Sequence, residues 1–216
     1  MPPKAKYTRE EIAASALDLV REKGIEALTA RELGNRLGCS SRPVFTAFQN
    51  MEELKQEVMK AAGKMMSSYF QASKDFIPEF KKAGMMMIRF AVDEPELFKL
   101  LLMQESPEER DFNDMLKIMG TEVDYCIDII KRDYGLDDTR SRRLFHQMWL
   151  HSYAIGVLCA TKMCRFTEEE ISRMLGEVFA GILHLIKSGK IDTGVTDIQV
   201  QGDYGFGIGD IPRHKE

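Results

Sequence analysis

A cluster of cationic and hydroxyl side chains in the first quarter of the chain could bind a polyanion. Residues 29–48 contain three arginines and a single acidic residue, Glu32, whereas the whole chain carries a net charge of −4. Guanidinium and hydroxyl groups donate hydrogen bonds to phosphate oxygens and to base edges. A local surplus of such groups on an acidic chain therefore indicates a confined nucleic-acid surface.

The residue types that could support catalysis lack the spacing that catalysis requires. No histidine has a glutamate three positions before it, and the sequence contains no His-Glu-x-x-His, Gly-x-Ser-x-Gly or Gly-rich phosphate loop with lysine. Cys159 and Cys164 are five residues apart, which does not place both thiols on one helical face for zinc. We therefore predict no enzymatic activity, no cofactor and no metal site.

The elements that position these residues are predicted to be helices. A capping residue is followed three positions later by glutamate at five places, and each pair predicts a helix start: Thr8, Thr29, Asn50, Ser106 and Thr167. Apolar residues then recur at helical spacing, with one long stripe from Phe112 to Ile130 and another from Ile171 to Leu185. Residues 139–162 are apolar on more than one face, which predicts a helix buried on two sides.

Shifts in composition predict three segments in an all-α chain. Short capped helices occupy residues 1–55, longer helices rich in methionine occupy residues 56–189, and residues 190–216 form a Gly-containing tail without a helical stripe. No apolar run is long enough for a membrane span, and the first residues contain no apolar run, so we expect neither a membrane helix nor secretion. The four cysteines lack Cys-x-x-Cys spacing, which is typical of reduced thiols in a cytoplasmic protein.

The N-terminal arginines fall within a predicted helix-turn-helix. A helix from Thr29 to Leu37 meets Gly38, which can adopt the left-handed conformation that ends a helix. A second short helix is predicted to be capped by Ser40, with Val44, Phe45 and Phe48 on its inner face. In such a motif the second helix enters the major groove of DNA.

Four runs of residues between Ile12 and Leu54, in register without gaps, resemble the tetracycline-repressor (TetR) family. They are I-x-x-x-A-L-x-L-V-x-E-K-G, L-T-x-x-x-L-G-x-x-L-G, S-x-x-x-V-F-x-x-F and M-E-E-L, within residues 12–54. The resemblance implies an N-terminal three-helix DNA-binding domain followed by a larger helical-bundle domain for regulation and dimerisation. It also implies double-stranded operator DNA as a partner.

The resemblance assigns roles to individual residues of the N-terminal domain. Thr29 would present its hydroxyl and the helix amides to a phosphate. The outward face of the second helix would carry Ser40, Ser41, Arg42 and Thr46, with Arg42 forming a bidentate contact to guanine. Met51 stands where the family often has a phosphate-binding lysine, and Lys55, one turn later, is expected to take that role.

The larger domain carries weaker signals of a ligand site. Residues 148–156 are similar to the W-x-x-H-G segment of one TetR subclass, with one residue instead of two between Trp149 and His151 and with Ser152 in place of the glycine. An effector cavity is expected between residues 75 and 165, and a mostly apolar small molecule would suit its methionine and aromatic lining. The candidate contacts are Met87, Met119, Tyr125, Gln147, Trp149, His151 and Tyr153. The alternative reading is that Trp149, His151 and the methionines are ordinary core residues.

Small residues on the last predicted helix indicate a contact between two copies of the chain. Gly176, Ala180 and Gly181, with Leu183, would allow helices to approach closely in a four-helix dimer interface, although packing within one chain is the alternative. These features together predict a homodimeric repressor that a small apolar effector releases from its operator. A helical ligand carrier or interaction module with a vestigial DNA-binding domain is the competing hypothesis.

Overall fold

Helices account for all the regular structure in the computed structural model, which describes residues 7–72, 78–105, 111–116 and 120–189. A single 3-10 turn, Ile25–Ala27, joins the first two helices. The α-helices are α1 (Arg9–Lys23), α2 (Ala30–Arg36), α3 (Arg42–Ala47), α4 (Met51–Gln71), α5 (Glu79–Asp93), α6 (Pro95–Leu102), α7 (Phe112–Leu116), α8 (Thr121–Tyr134), α9 (Asp138–Ala160) and α10 (Glu168–Lys187). The predicted all-α fold is confirmed.

Side-chain caps start four of these helices where the sequence predicted them. Thr8 and Thr167 form complete capping boxes with the glutamates three residues later. Thr29 and Asn50 each accept the backbone N–H of the third helical residue, at 3.2 and 2.9 Å. The fifth predicted cap, Ser106, lies outside the described residues.

Two expectations for the third helix were wrong. Its N-cap residue is Ser41 and not Ser40, and the Ser41 side chain makes no capping hydrogen bond. Val44 and Phe48 are buried as expected, but Phe45 is 53% exposed. Successive residues of a helix are 100° apart, so Phe45 points away from the face that Val44 and Phe48 share.

The long stripe from Phe112 to Ile130 is also not one helix. It is divided between α7 and α8, and Gly120 stands before α8 with a φ of +62°. The apolar spacing continues across this turn, which is why periodicity alone did not reveal the break. Besides the Ser106 cap, Met119 and the tail from residue 190 also lie outside the described part of the chain.

Two groups of helices position the features described below. In the N-terminal group, α1 packs against α2, α3 and α4, and its buried residues include Ile12 and Leu19. In the larger group, α9 lies at the centre and contacts α5, α6, α8 and α10. This central position fits the apolar content that predicted burial of residues 139–162. Helix α4 belongs to both groups because it also contacts α5 and α6.

A close contact at Gly156 fixes the distance between α9 and α6. A Cβ atom at this position would lie 2.8 Å from Cζ of Phe98, whose ring is fully buried. Since Phe98 has no free space to move into, only glycine allows the two helices to approach this closely.

Replacing Gly156 by alanine should therefore lower the free energy of unfolding by about 1–3 kcal/mol, as overpacking of a filled core does. Chemical denaturation measures the change. Gly63, also in a helix, is the matched control because no heavy atom lies within 4 Å of the point that a Cβ atom would occupy there. Gly63→Ala should stabilise the chain by about 0.5–1 kcal/mol. Equal stability of Gly156→Ala and wild type would show that the α6–α9 contact is loose.

Candidate nucleic-acid interface and internal cavity

The turn between α2 and α3 is built by close backbone approach. A Cβ atom at Gly34 would lie 3.0 Å from the carbonyl oxygen of Cys39, and the Cys39 N–H donates to the Gly34 carbonyl at 3.0 Å. Gly38 has the left-handed φ of +63° that the sequence predicted. These two glycines let α3 leave α2 after a short turn, which is the geometry of a helix-turn-helix.

The outward face of α3 carries Arg42, Phe45 and Thr46, and all three side chains are exposed. Their spacing of three and four residues places them side by side on the helix. The buried residues Val44 and Phe48 occupy the other side and hold α3 against the domain. This arrangement leaves one guanidinium, one aromatic ring and one short hydroxyl side chain for an external partner.

Several other cations of the N-terminal domain are engaged by acidic side chains. Arg36 forms a bidentate pair with Glu22, with N–O distances of 2.6 and 2.7 Å. Lys23 pairs with Glu32 at 2.9 Å. Arg9 pairs with Glu53 at 2.8 Å, and its guanidinium also lies over the Phe48 ring. These residues hold helices together and have less capacity to bind an external anion.

Three cations of this domain remain without an ion-pair partner within the described residues: Arg31, Arg42 and Lys55. Arg31 and Arg42 are exposed and Lys55 is half-buried. Sequence reasoning proposed roles for Arg42 and Lys55 but missed Arg31. Its position two residues after the Thr29 cap, at the exposed start of α2, was the signal that could have identified it.

The remaining predicted DNA contacts are hydroxyl groups near helix starts. Thr29 is exposed, and its hydroxyl oxygen accepts from the Glu32 N–H, which leaves the hydroxyl hydrogen able to donate. Ser40 is exposed and Ser41 is half-buried. Thr46 donates its hydroxyl hydrogen to the Arg42 carbonyl at 3.0 Å. Thr29, Ser40 and Ser41 are thus placed at or near the surface around α2 and α3.

An apolar cavity of about 90 Å³ lies among the helices of the larger group. Six aromatic rings contribute to its wall: Phe70, Phe80, Tyr134, Phe145, Trp149 and Phe179. The wall also contains two charged side chains, Lys81 and Glu122, and two hydroxyl groups, those of Ser152 and Tyr134. Burial raises the pKa of the Cys126 thiol to about 12, so this residue lines the cavity in its neutral form. Such a wall suits an apolar molecule.

Only some of the predicted effector contacts line this cavity. Met87 and Trp149 do, whereas Gln147 is exposed on α9. Tyr153 lies beside the cavity, since its ring stacks on Trp149 at 5.1 Å and its hydroxyl donates to the Leu102 carbonyl at 3.0 Å. His151 does not line the wall, and its buried Nε2 has no hydrogen-bond partner among the described residues.

The hydroxyl of Tyr125 donates a hydrogen bond to a buried carboxylate. Glu79, at the start of α5, accepts hydrogen bonds from the Tyr125 phenol and from Arg132 Nη2, the latter at 3.1 Å. The bond to this carboxylate raises the pKa of Tyr125 to about 12. The phenol stays protonated at neutral pH. Its hydrogen bond to Glu79 connects α8 to the start of α5.

The predicted dimer residues lie along α10. Ala180 and Gly181 are exposed, Gly176 and Leu183 are half-buried, and Gly176 also lines the cavity. No heavy atom lies within 4 Å of the Cβ position at Gly176 or Gly181. On α9, Leu150 is 44% exposed. The described surface of α10 is therefore open to another helix at these positions.

A continuous set of contacts connects the cavity with the N-terminal helices. Trp149 in the cavity wall stacks on Tyr153, and Tyr153 stacks on Phe98 of α6 with a centroid distance of 6.1 Å. Glu94, the residue that precedes α6, accepts two hydrogen bonds from Arg21 of α1, and one of them measures 2.7 Å. The segment from Glu94 to Phe98 thus contacts both α1 of the N-terminal domain and a residue beside the cavity.

Membrane-spanning helices and metal-binding clusters are both absent from the described residues. No helix among them is long and apolar enough to span a bilayer. They also contain no group of three or more histidine, cysteine, aspartate or glutamate side chains placed to hold a metal ion.

Comparison with known proteins finds a matching family model and a similar solved structure. Residues 12–58, which span most of α1, the helix-turn-helix and the start of α4, match the family model described as "Bacterial regulatory proteins, tetR family". The structure of a Vibrio parahaemolyticus protein described as a TetR family transcriptional regulator is similar to this fold, with a TM-score of 0.54 and 18% sequence identity. The match covers 80% of this chain and 97% of that chain. No curated protein matches the sequence significantly.

Proposed function

We propose that this chain is a regulator of the TetR family, a ligand-responsive repressor that binds operator DNA as a homodimer, because residues 12–58 match the model of that family. A small, mostly apolar effector releases it. The observation that carries the proposal is the exposed face of α3, where Arg42 has no ion-pair partner among the described residues while neighbouring cations are engaged. A guanidinium held in this way is available to guanine in the major groove.

Homodimer formation is proposed because one helix-turn-helix makes too few base contacts for useful specificity. Two copies related by a twofold axis double these contacts on a palindromic site. Ala180 and Gly181 are exposed on α10, and Leu150 is exposed on α9, which supports these two helices as the contact between copies. A four-helix interface of α9 and α10 from each subunit would cover them.

Replacing Ala180 by arginine should convert the dimer to a monomer, because a charged side chain would be buried in the proposed interface. Sedimentation at micromolar concentration distinguishes the two species. Val92→Arg is the matched control, since Val92 is 51% exposed on α5 and lies outside the interface. A wild-type chain that sediments as a monomer would contradict the proposal, as would an Ala180→Arg variant that remains dimeric.

The effector is proposed to bind in the apolar cavity and to enlarge it. An apolar cavity of about 150 Å³ holds benzene, so a volume of about 90 Å³ is too small for a larger molecule without movement of the walls. Phe70, near the end of α4, forms part of the wall. Helix α4 begins next to α3 and extends for 21 residues, or about 30 Å. Displacement at Phe70 would therefore change the position of the DNA-binding helices.

A change in that position would release the DNA. The two recognition helices of a dimer must match major grooves about 34 Å apart. An effector that favours a different spacing by about 1–3 kcal/mol lowers operator affinity roughly fivefold to 150-fold. By thermodynamic reciprocity, operator DNA must weaken effector binding by the same factor.

This reciprocity tests the proposal once an effector is available. Small molecules that raise the melting temperature identify candidates, because a bound ligand stabilises the native state. A candidate is then titrated into the protein with and without a duplex that the chain selects from a random pool. Equal affinities in the two titrations would contradict the proposed mechanism.

A second candidate function is a helical ligand carrier, and the cavity is the observation that favours it. A carrier would bind an apolar molecule in the same place but would not select a duplex from a random pool. Selection of an inverted repeat therefore separates the two functions.

A further inference from the structure

Phe45 is the one large hydrophobic side chain that is exposed among the described residues of the N-terminal domain, at 53%. It stands on the outward face of α3, between Arg42 one turn before it and Thr46 next to it. Val44 and Phe48 of the same helix are buried against the domain, whereas the domain leaves the ring of Phe45 uncovered. Exposure of an aromatic ring to water is unfavourable, and the site therefore favours a partner that covers it.

The chemistry of the ring limits what Phe45 can contact. A phenyl group donates no hydrogen bond, so it cannot bind a phosphate oxygen as an arginine, serine or threonine does. The major groove displays one apolar group, the C5-methyl of thymine. Neighbouring Thr46 adds to an apolar patch, because its hydroxyl hydrogen is donated to the Arg42 carbonyl at 3.0 Å. Its methyl group then remains for a contact with the same base.

We infer that Phe45 reads a thymine methyl group in the major groove, beside the base pair that Arg42 contacts. The inference rests on the proposed function, because it requires α3 to enter the groove. Three residues of helix advance about 4.5 Å, whereas stacked base pairs are about 3.4 Å apart. The thymine should therefore lie one or two base pairs from the guanine that Arg42 reads.

Replacement of single thymines by deoxyuridine tests the inference, because uracil lacks only the methyl group. The full-length wild-type chain first selects duplexes from a random pool, and each thymine of the inverted repeat is then replaced in both half-sites. Removing the contacted methyl pair should weaken wild-type binding about tenfold, while the other replacements should have little effect. Fluorescence anisotropy measures each affinity.

The Phe45→Ala variant tests whether Phe45 is the side chain that contacts the methyl group. It should bind the thymine duplex about as weakly as wild type binds the uracil duplex, and it should no longer distinguish the two. Since Phe45 is exposed, this variant should keep the helical circular dichroism and melting temperature of wild type. Met59→Ala is the matched control, as Met59 is a 42% exposed apolar residue on α4, and it should keep the full sensitivity to uracil.

Two results would overturn the inference while leaving the proposed function intact. They are a selected duplex on which no uracil replacement changes wild-type affinity, and a Phe45→Ala variant that still responds to the methyl group. If the wild-type chain selects no duplex at all, the proposed function fails and the inference fails with it.

Discussion

Replacing Arg42 by alanine should lower specific operator affinity by about 1–3 kcal/mol and relax the preference at one base pair in each half-site. The guanidinium is exposed on α3 and has no ion-pair partner among the described residues, so its loss should not disturb the fold. It would remove two parallel hydrogen bonds to guanine. Binding assays on a set of operators with every single-base change in the half-site measure both effects.

Lys55→Ala is the matched control for this experiment. Lys55 lies in the second turn of α4, outside the exposed face of α3, and we propose that its ammonium group contacts a phosphate and not a base edge. Its loss should weaken binding to all of the operators alike and reduce the salt dependence by about one phosphate contact. If the two variants had the same profile across the operator set, the division between base reading and phosphate binding would be incorrect.

Replacing Arg21 by methionine should uncouple the N-terminal helices from the larger helical group. Arg21 donates two hydrogen bonds to Glu94, whose side chain is only 11% exposed. The variant leaves a largely buried carboxylate without this partner, a change that is costly in a protein interior. Because Arg21 itself is 40% exposed, solvent screening reduces the expected loss of stability to about 1–3 kcal/mol.

The single tryptophan of the chain makes this uncoupling measurable. Trp149 lies in the cavity wall, so its fluorescence reports the larger group, whereas far-ultraviolet circular dichroism reports all helices. The two unfolding transitions should coincide in wild type. In Arg21→Met, the circular dichroism signal should change at a lower denaturant concentration than the fluorescence.

Glu94→Gln serves as the control for charge, since the amide oxygen can still accept a hydrogen bond from Arg21. It should lose less stability than Arg21→Met and keep the two transitions together. Coincident transitions at the wild-type denaturant concentration in Arg21→Met would show that this ion pair does not connect the two groups.

The start of most N-terminal helices could be predicted from sequence because their signals are local. A cap and the glutamate three residues later are close in the chain, and the pairs at Thr8 and Asn50 formed as expected. The start of α3 was misplaced because Ser40 and Ser41 are adjacent and either could have been the cap. The capping bond that would have distinguished them is absent in the structure.

The cavity could not be predicted in the same way because its wall comes from several helices. Phe70 is on α4, Phe80 on α5, Phe145 on α9 and Phe179 on α10. Each of these residues follows the same helical spacing as ordinary core residues, so no local pattern distinguishes a cavity wall from a filled core. The hydrogen bond of Tyr125 could not be predicted either. Its hydroxyl suited an effector contact by residue type, but it donates to the buried carboxylate of Glu79, which lies on another helix.

The salt dependence of duplex binding tests the central claim, that this chain reads DNA, most directly. Lys55 and the Thr29 hydroxyl of each subunit are expected to contact phosphates, and we propose the same role for Arg31, which is exposed and has no ion-pair partner among the described residues. Each phosphate neutralised by a cation releases counterions from the duplex. With four such cations in a dimer, affinity for the selected duplex should fall about a hundredfold between 50 and 200 mM salt. A scrambled duplex should bind more weakly at every salt concentration. Failure of the chain to select any duplex from a random pool, or an affinity for the selected duplex that salt does not change, would contradict the account.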